Sequence, residues 1–328
     1  MNNEAYRPRN RTRDEIRRNG ALFNLNEGIV SRLHGIMTRF IVWPGLGPIS
    51  ESIHVLSLKP GDESEMYSYA MSEEGMICLK GKGQVFIHEQ WANIEAGDVA
   101  YFPEGTVHGM RNPEENKHDF VLVTCITPPS LDLYAADGFF DKKHGIIDFE
   151  AIGEAMKKTK IGNLSCVNET HFNESHPELR AWNLFPEDIR RKGALFNLYK
   201  GAMFTGHIAP MLLILWPGTG TRMLSYHIAF QDPGFDFIPH IHPVSDDMII
   251  GIDGKGRGYL GDRWFEMEEN DILVAPAGVK HGTGCTKERT KPFKSSGFAS
   301  PPQLDLYEKA GYFKDGKFHR PEFESMKK

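Results

Sequence analysis

Apolar residues come in short bursts along this chain. Ile53 to Leu58, Met76 to Leu79, Val99 to Phe102 and Val121 to Cys125 are rich in Ile, Val, Phe and Tyr. Pro-Gly, Gly-Lys-Gly and Gly-Asp punctuate them, as turns do between short strands. Many short strands at regular spacing predict a sandwich or small barrel, not alternating βαβ units. Two short charged stretches, Arg13 to Arg18 and Pro186 to Arg191, predict helices that stop at Gly20 and Gly193. Leu131 to Ala136 and Leu304 to Lys309 read as partly helical. The run Met211 to Trp216 is strand-sized, and no apolar run approaches membrane-spanning length.

The pattern is written twice. A shift that carries Gly20 onto Gly193 lays Gly20-Ala21-Leu22-Phe23-Asn24 over Gly193-Ala194-Leu195-Phe196-Asn197 without a gap. The same shift lays Trp43-Pro44-Gly45 over Trp216-Pro217-Gly218, and Asp132-Leu133-Tyr134 over Asp305-Leu306-Tyr307. The expected organisation is two domains of one fold, residues 1–160 and 161–328. The polar stretch Lys157 to Arg180 forms the linker. At 328 residues each copy can bury its own core.

Charge and composition exclude more than they suggest. A net charge of −6 gives no electrostatic case for nucleic acid. The arginines at 7, 9, 11, 13, 17 and 18 have no apolar core behind them, so they do not read as a secretory signal. They are expected to be a solvated arm or a clasp across a subunit interface. Cys78, Cys125, Cys166 and Cys285 show no pairing logic, which points to a reducing, cytoplasmic compartment. The sequons at Asn163, Asn168 and Asn173 then read as polar linker.

The candidate chemistry lies in one copy only. Gly234, His240-Ile241-His242, Asp247 and Gly254 are followed by Pro276, Gly278 and His281. On a strand, residues two apart share a side, so His240 and His242 face one interior. A turn brings back a carboxylate, Asp247 or neighbouring Asp246, and His281 arrives from a later strand. Three imidazoles and a carboxylate suit Fe, Mn, Ni, Cu or Zn rather than Ca or Mg. Four protein ligands in an octahedral field leave two adjacent positions for substrate, or for substrate plus dioxygen. In the first copy Tyr67 and Tyr69 replace the histidines, while Glu74 and His108 remain. A phenol keeps its proton near neutral pH, so that copy reads as a plugged barrel.

These residues resemble the two motifs of the cupin superfamily, and the duplication resembles its bicupins. Residues 234 to 254 match the first motif, G-x5-HxH-x3,4-E-x6-G, with Asp247 in place of Glu. The second, G-x5-PxG-x2-H-x3-N, is complete at Gly97, Pro103, Gly105, His108 and Asn112. In the second copy it carries Asn270 for Gly and Cys285 for Asn. The resemblance implies an all-β fold of two tandem antiparallel jelly-roll barrels with short helices at the domain ends. It also implies a divalent transition metal, Fe first and Mn, Ni or Zn as alternatives, held by His240, His242, Asp247 and His281.

Four further residues differ between the copies: Arg222, Tyr226, Arg257 and Tyr259. An inward arginine would hold an anionic substrate, and an inward tyrosine could donate a proton, but strand parity is open. His34, His54, His207 and His227 are kept in both copies and read as structural, and Trp91 and Trp264 read as core. The leading expectation is a metal-dependent dioxygenase acting on a small anionic molecule, as a homo-oligomer with no nucleic-acid or membrane partner. A non-redox decarboxylase, isomerase or lyase, and a metabolite-binding or storage protein without turnover, are the rival classes.

Overall fold

A computed structural model describes residues 3–159, 164, 169–204, 210–319 and 322–326. Cys166, Asn163, Asn168 and His207 lie outside the described residues. The predicted strands are present as Ser52–Leu58, Glu73–Lys80, Asp98–Phe102 and Phe120–Thr127. Their counterparts in the second copy are Ser225–Gln231, Asp246–Asp253, Asp271–Ala275 and Phe293–Ser300. The two opening helices span Arg13–Asn19 and Pro186–Lys192. The Thr12 hydroxyl and Glu15 carboxylate form a reciprocal capping box on the first.

Each copy is an antiparallel double-layered barrel: a large curved sheet faced by a smaller three-stranded one. In the second copy the small sheet is Arg263–Glu268, Lys255–Leu260 and His281–Gly284, so His281 sits on its inner edge. The larger sheets of the two copies are joined edge to edge through an exchange of strands. Ala21–Asn24 of the first copy pairs with Asp271–Ala275 of the second, with Ala21 opposite Val274. Ala194–Asn197 of the second pairs with Asp98–Phe102 of the first, with Ala194 opposite Tyr101. The halves are therefore related as the protomers of a two-fold strand-swapped dimer are, inside one chain.

Glycine at the helix exits makes the exchange possible. Gly20 and Gly193 turn with φ of 71° and 83°, and a Cβ on either would lie 2.4 Å and 2.2 Å from the carbonyl oxygens of Val274 and Tyr101. Two buried clasps lock the swapped strands. Arg180 donates to Asp98 at 2.7 Å and to the Phe196 carbonyl at 3.0 Å, with both side chains fully buried. Arg7 repeats this on Asp271 at 2.9 Å and Phe23 at 3.1 Å. The basic arm is thus a clasp between the two copies of one chain, and the linker ends in a buried arginine rather than in solvent.

Acidic residues beside the metal-motif positions fasten the same interface. Asp246 accepts from the Ser50 amide and hydroxyl at 3.2 and 2.5 Å and from the Ala277 amide at 3.0 Å. Glu73, its counterpart, accepts from the amides of Arg222, Met223 and Leu224 at 2.7 to 2.9 Å. Thr127 and Ser300, equivalent positions, meet each other at 2.6 Å. Trp91 and Trp264 are half-buried on the outer three-stranded sheets beneath Arg111 and Arg257, at 4.2 and 4.4 Å. That corrects the expectation that they are core: an indole can satisfy itself on a cation at the surface.

Candidate metal centre

His240 and His281 face each other as an isolated antiparallel bridge, each amide donating to the other's carbonyl at 2.9 Å. His242, two residues on, returns to the same side. The potential ligand atoms of His240, His242 and His281 lie within 4.8 Å of one another. Backbone carbonyls fix two of the tautomers. His240 Nδ1 donates to Ile238 and His281 Nδ1 to Val279, each at 2.9 Å. Their Nε2 atoms therefore point inward and, in the neutral ring, carry the lone pair.

The inward nitrogens and the carboxylate crowd together. His240 Nε2 is 3.0 Å from His242 Nε2, and His281 Nε2 is 3.2 Å from Asp247 Oδ2. His242 Nε2 is 3.9 Å from that same oxygen. Asp247 Oδ1 is buried without a hydrogen-bond partner among the described residues. Lone pairs converging in this way need shared protons or a cation, and the donor set of imidazoles plus carboxylate suits a transition ion. The residues fit a metal. Asp246 is engaged at the interface, so Asp247 is the carboxylate directed to the centre.

The site's electrostatics favour binding. Burial pushes His242 down to about 4, with Asp247 opposing and His281 and His240 assisting. Burial likewise lowers His240. For His281 burial lowers the pKa, but the hydrogen bond and charge of Asp247 outweigh it and the net shift is upward. For Asp247 burial raises the pKa, while His281 and the other imidazoles pull it below the ordinary carboxylate range. Near neutral pH His240 and His242 are thus neutral and Asp247 charged, the forms a metal requires.

A cavity of about 30 Å³ adjoins these groups, lined by His227, Phe237, Thr283, Ser295, Gln303 and Leu306 among others. Gln303 donates to Asp247 Oδ2 at 3.3 Å. None of the four candidate tyrosines and arginines lines it. Tyr226 is fully buried in the apolar core and packs on Phe298 at 4.4 Å. Its neighbour His227 takes the cavity side, because adjacent strand residues point oppositely. Arg257 pairs with both oxygens of Asp236, and Tyr259 stands against Trp264 at 5.3 Å, both on the outer sheet. Arg222 pairs with Glu104 and borders a separate outer cleft of about 760 Å³.

The equivalent place in the first copy is filled by its own side chains. Tyr67 and His108 form the matching bridge. Glu74 receives the Tyr67 hydroxyl at 3.1 Å, the Thr124 hydroxyl, and His108 Nε2 at 2.8 Å. The His34 ring stacks on Tyr67 at 3.5 Å and meets the Tyr69 hydroxyl at 3.1 Å. Burial, with Glu74 nearby, raises both phenols well above their ordinary range.

The cupin domain model matches the chain twice, over residues 54–124 and 228–291, which enclose these two places. No curated protein matches the sequence. Among solved structures, protein Ylba from E. coli superposes with a TM-score of 0.54 at 13% identity, covering 85% of this chain and 90% of its own. Procruciferin, an 11S globulin from Brassica napus, gives 0.55 at 12% identity, covering 85% of each. A salicylate 1,2-dioxygenase from Pseudoaminobacter salicylatoxidans gives 0.50 at 13% identity, covering 80% of this chain and 71% of its own. At such identities the likeness is one of fold. With two matched domains, each a double-layered antiparallel barrel, the chain belongs to the cupin superfamily and carries its domain twice.

Proposed function

We propose that this chain is a metal-dependent enzyme whose single centre lies in the second barrel, held by His240, His242, His281 and Asp247. The observation that carries the reading is the convergence of three imidazoles, two with their tautomers fixed by backbone carbonyls. The metal, Fe first among Fe, Mn, Ni and Zn, supplies positive charge and exchangeable coordination positions when bound. With Arg222 and Arg257 outside the cavity, recognition of an anionic substrate falls to the ion. A cavity of about 30 Å³ has room for about two waters. It therefore admits only the chelating end of a substrate, a carboxylate beside a hydroxyl or carbonyl. Gln303 holds Asp247 in place, and Phe237 and Leu306 exclude bulk water.

We rank dioxygenase chemistry first. A dioxygenase of similar fold supports it; storage globulins share the fold as well, and the intact histidine triad argues against a pure storage role. The buried free thiols Cys78, Cys125 and Cys285 support a reducing, cytoplasmic setting. Among the described residues no helix is long and apolar enough to cross a membrane. Assembly into a homo-oligomer belongs to the same proposal. The test is elemental analysis followed by oxygen uptake on hydroxy and keto acids after iron reconstitution. Iron retention with substrate-dependent oxygen consumption is expected. Turnover without oxygen, or purification with stoichiometric Zn or Ni, would move the enzyme to the non-redox class. Absence of metal from protein of intact fold would end the reading.

A further inference from the structure

We infer that His227 is the hydrogen-bonding partner of the molecule that occupies the exchangeable position at the metal centre. The inference rests on the proposed metal site and adds a residue that neither cupin motif contains. Four observations carry it. His227 lines the same cavity as His240, His242 and Asp247. It is half-buried there, whereas its counterpart His54 is fully buried. His54 is turned into the apolar core, where its Nε2 meets the Tyr134 hydroxyl at 3.0 Å.

The strand beside each histidine explains the difference. Thr124 stands opposite His54, and Gly297 stands opposite His227. In the first copy the Thr124 hydroxyl occupies Glu74. In the second copy Gly297 has no side chain to do so, and Asp247 Oδ1 has no hydrogen-bond partner among the described residues. A Cβ on Gly297 would lie 2.7 Å from His227 Cε1, 3.0 Å from His227 Nε2 and 3.0 Å from Asp247 Oδ1. The imidazole edge and the free carboxylate oxygen thus flank the bare backbone of Gly297 together. One residue change between the copies, Thr to Gly, makes room for a fourth imidazole at the centre. The loss of both metal histidines accompanies the closed version.

The role is one of binding and orientation. A ring nitrogen that faces the cavity beside Asp247, on a strand that does not supply the triad, is placed to meet a metal-bound anion. That contact adds to affinity for an incoming anion without adding to affinity for the ion.

The test loads full-length protein with Co(II), counts bound metal, and titrates azide by visible absorption. Wild type is expected to take one Co(II) and to bind azide. His227→Phe is expected to keep Co(II) affinity within threefold while weakening azide at least tenfold. His227→Gln, which retains a donor, should recover part of that loss. Unchanged azide affinity in His227→Phe with Co(II) bound overturns the inference and leaves the metal reading intact. Loss of Co(II) from His227→Phe, with circular dichroism unchanged, overturns it too, since His227 would then serve the ion itself. If wild type binds no Co(II), the metal reading falls and takes this inference with it.

Discussion

His54 offers a quantitative check on how the barrels hold buried imidazoles. Its ring is fully buried, edge-on to Phe40 at 5.3 Å, with Nε2 on the Tyr134 hydroxyl at 3.0 Å. Its Nδ1 has no hydrogen-bond partner among the described residues. Burial therefore holds its pKa at about 3, against 6.5 for the free side chain. The sign follows from proton counting. Between those values the unfolded chain binds a proton that the folded one refuses, so stability falls as pH falls and the loss is complete below the folded value. The full span, 6.5 minus 3, corresponds to about 5 kcal/mol at 1.36 kcal/mol per unit. At pH 5 the loss is about 2 kcal/mol relative to pH 7. His242, lowered to about 4, adds a comparable loss in the metal-free protein. Asp247, lowered below the usual carboxylate range, contributes only at more acidic pH. Urea unfolding of metal-free wild type and His54→Gln at pH 7 and pH 5 isolates the term. Wild type should lose about 2 kcal/mol more than the variant between the two pH values. Equal losses would refute the argument, because they would mean that the buried ring titrates as a solvated one does.

The remaining predictions concern the clasps and the two centres. Arg180→Ala leaves Asp98 charged and fully buried, so it should cost about 3–5 kcal/mol by chemical denaturation. Arg7→Ala, whose side chain is 15% exposed, should cost about 1–2 kcal/mol; equal costs would deny that burial sets the difference. His281→Gln should lower transition-metal affinity at least about 100-fold by isothermal titration. It should also abolish the metal-dependent rise in melting temperature seen in wild type; a retained rise would place the ion elsewhere. Tyr67→His combined with Tyr69→His restores both imidazoles beside Glu74 and His108, and should raise bound Co(II) from about one equivalent to about two by elemental analysis. A stoichiometry still at one would show that the Thr124 and His34 contacts keep that centre closed.

How far the sequence could be read follows from which physical signals are local. The strand positions were legible because bursts of Ile, Val and Phe between turn residues specify them without a partner. The centre was legible because His240 and His242 share a strand face and the second copy alone has them. The strand exchange was not legible. Ala21 to Asn24 and Ala194 to Asn197 are the same four residues, so each strand complements either barrel, and the choice is made by Gly20, Gly193, Arg7 and Arg180. Parity was equally hidden at Tyr226 and His227. Their strand is buried on both faces, and without a polar face to alternate with, nothing in it tells inward from outward.

His227 shows what the comparison of copies can conceal. A residue kept in both halves looks structural, and at His54 it is. The same residue becomes part of the centre where its cross-strand neighbour shrinks from Thr124 to Gly297. The informative difference thus lay about seventy residues away in sequence, on the facing strand, at a position that carries no ligand. It could have been found by aligning the halves and asking where bulk disappears from the armed copy alone. Gly297 is such a position, and a glycine inside a strand buried along its length marks close approach by another group. In a duplicated barrel, then, loss of function is visible as replaced ligands. The shape of the functional cavity is written in the small residues that keep the ligands' neighbours apart.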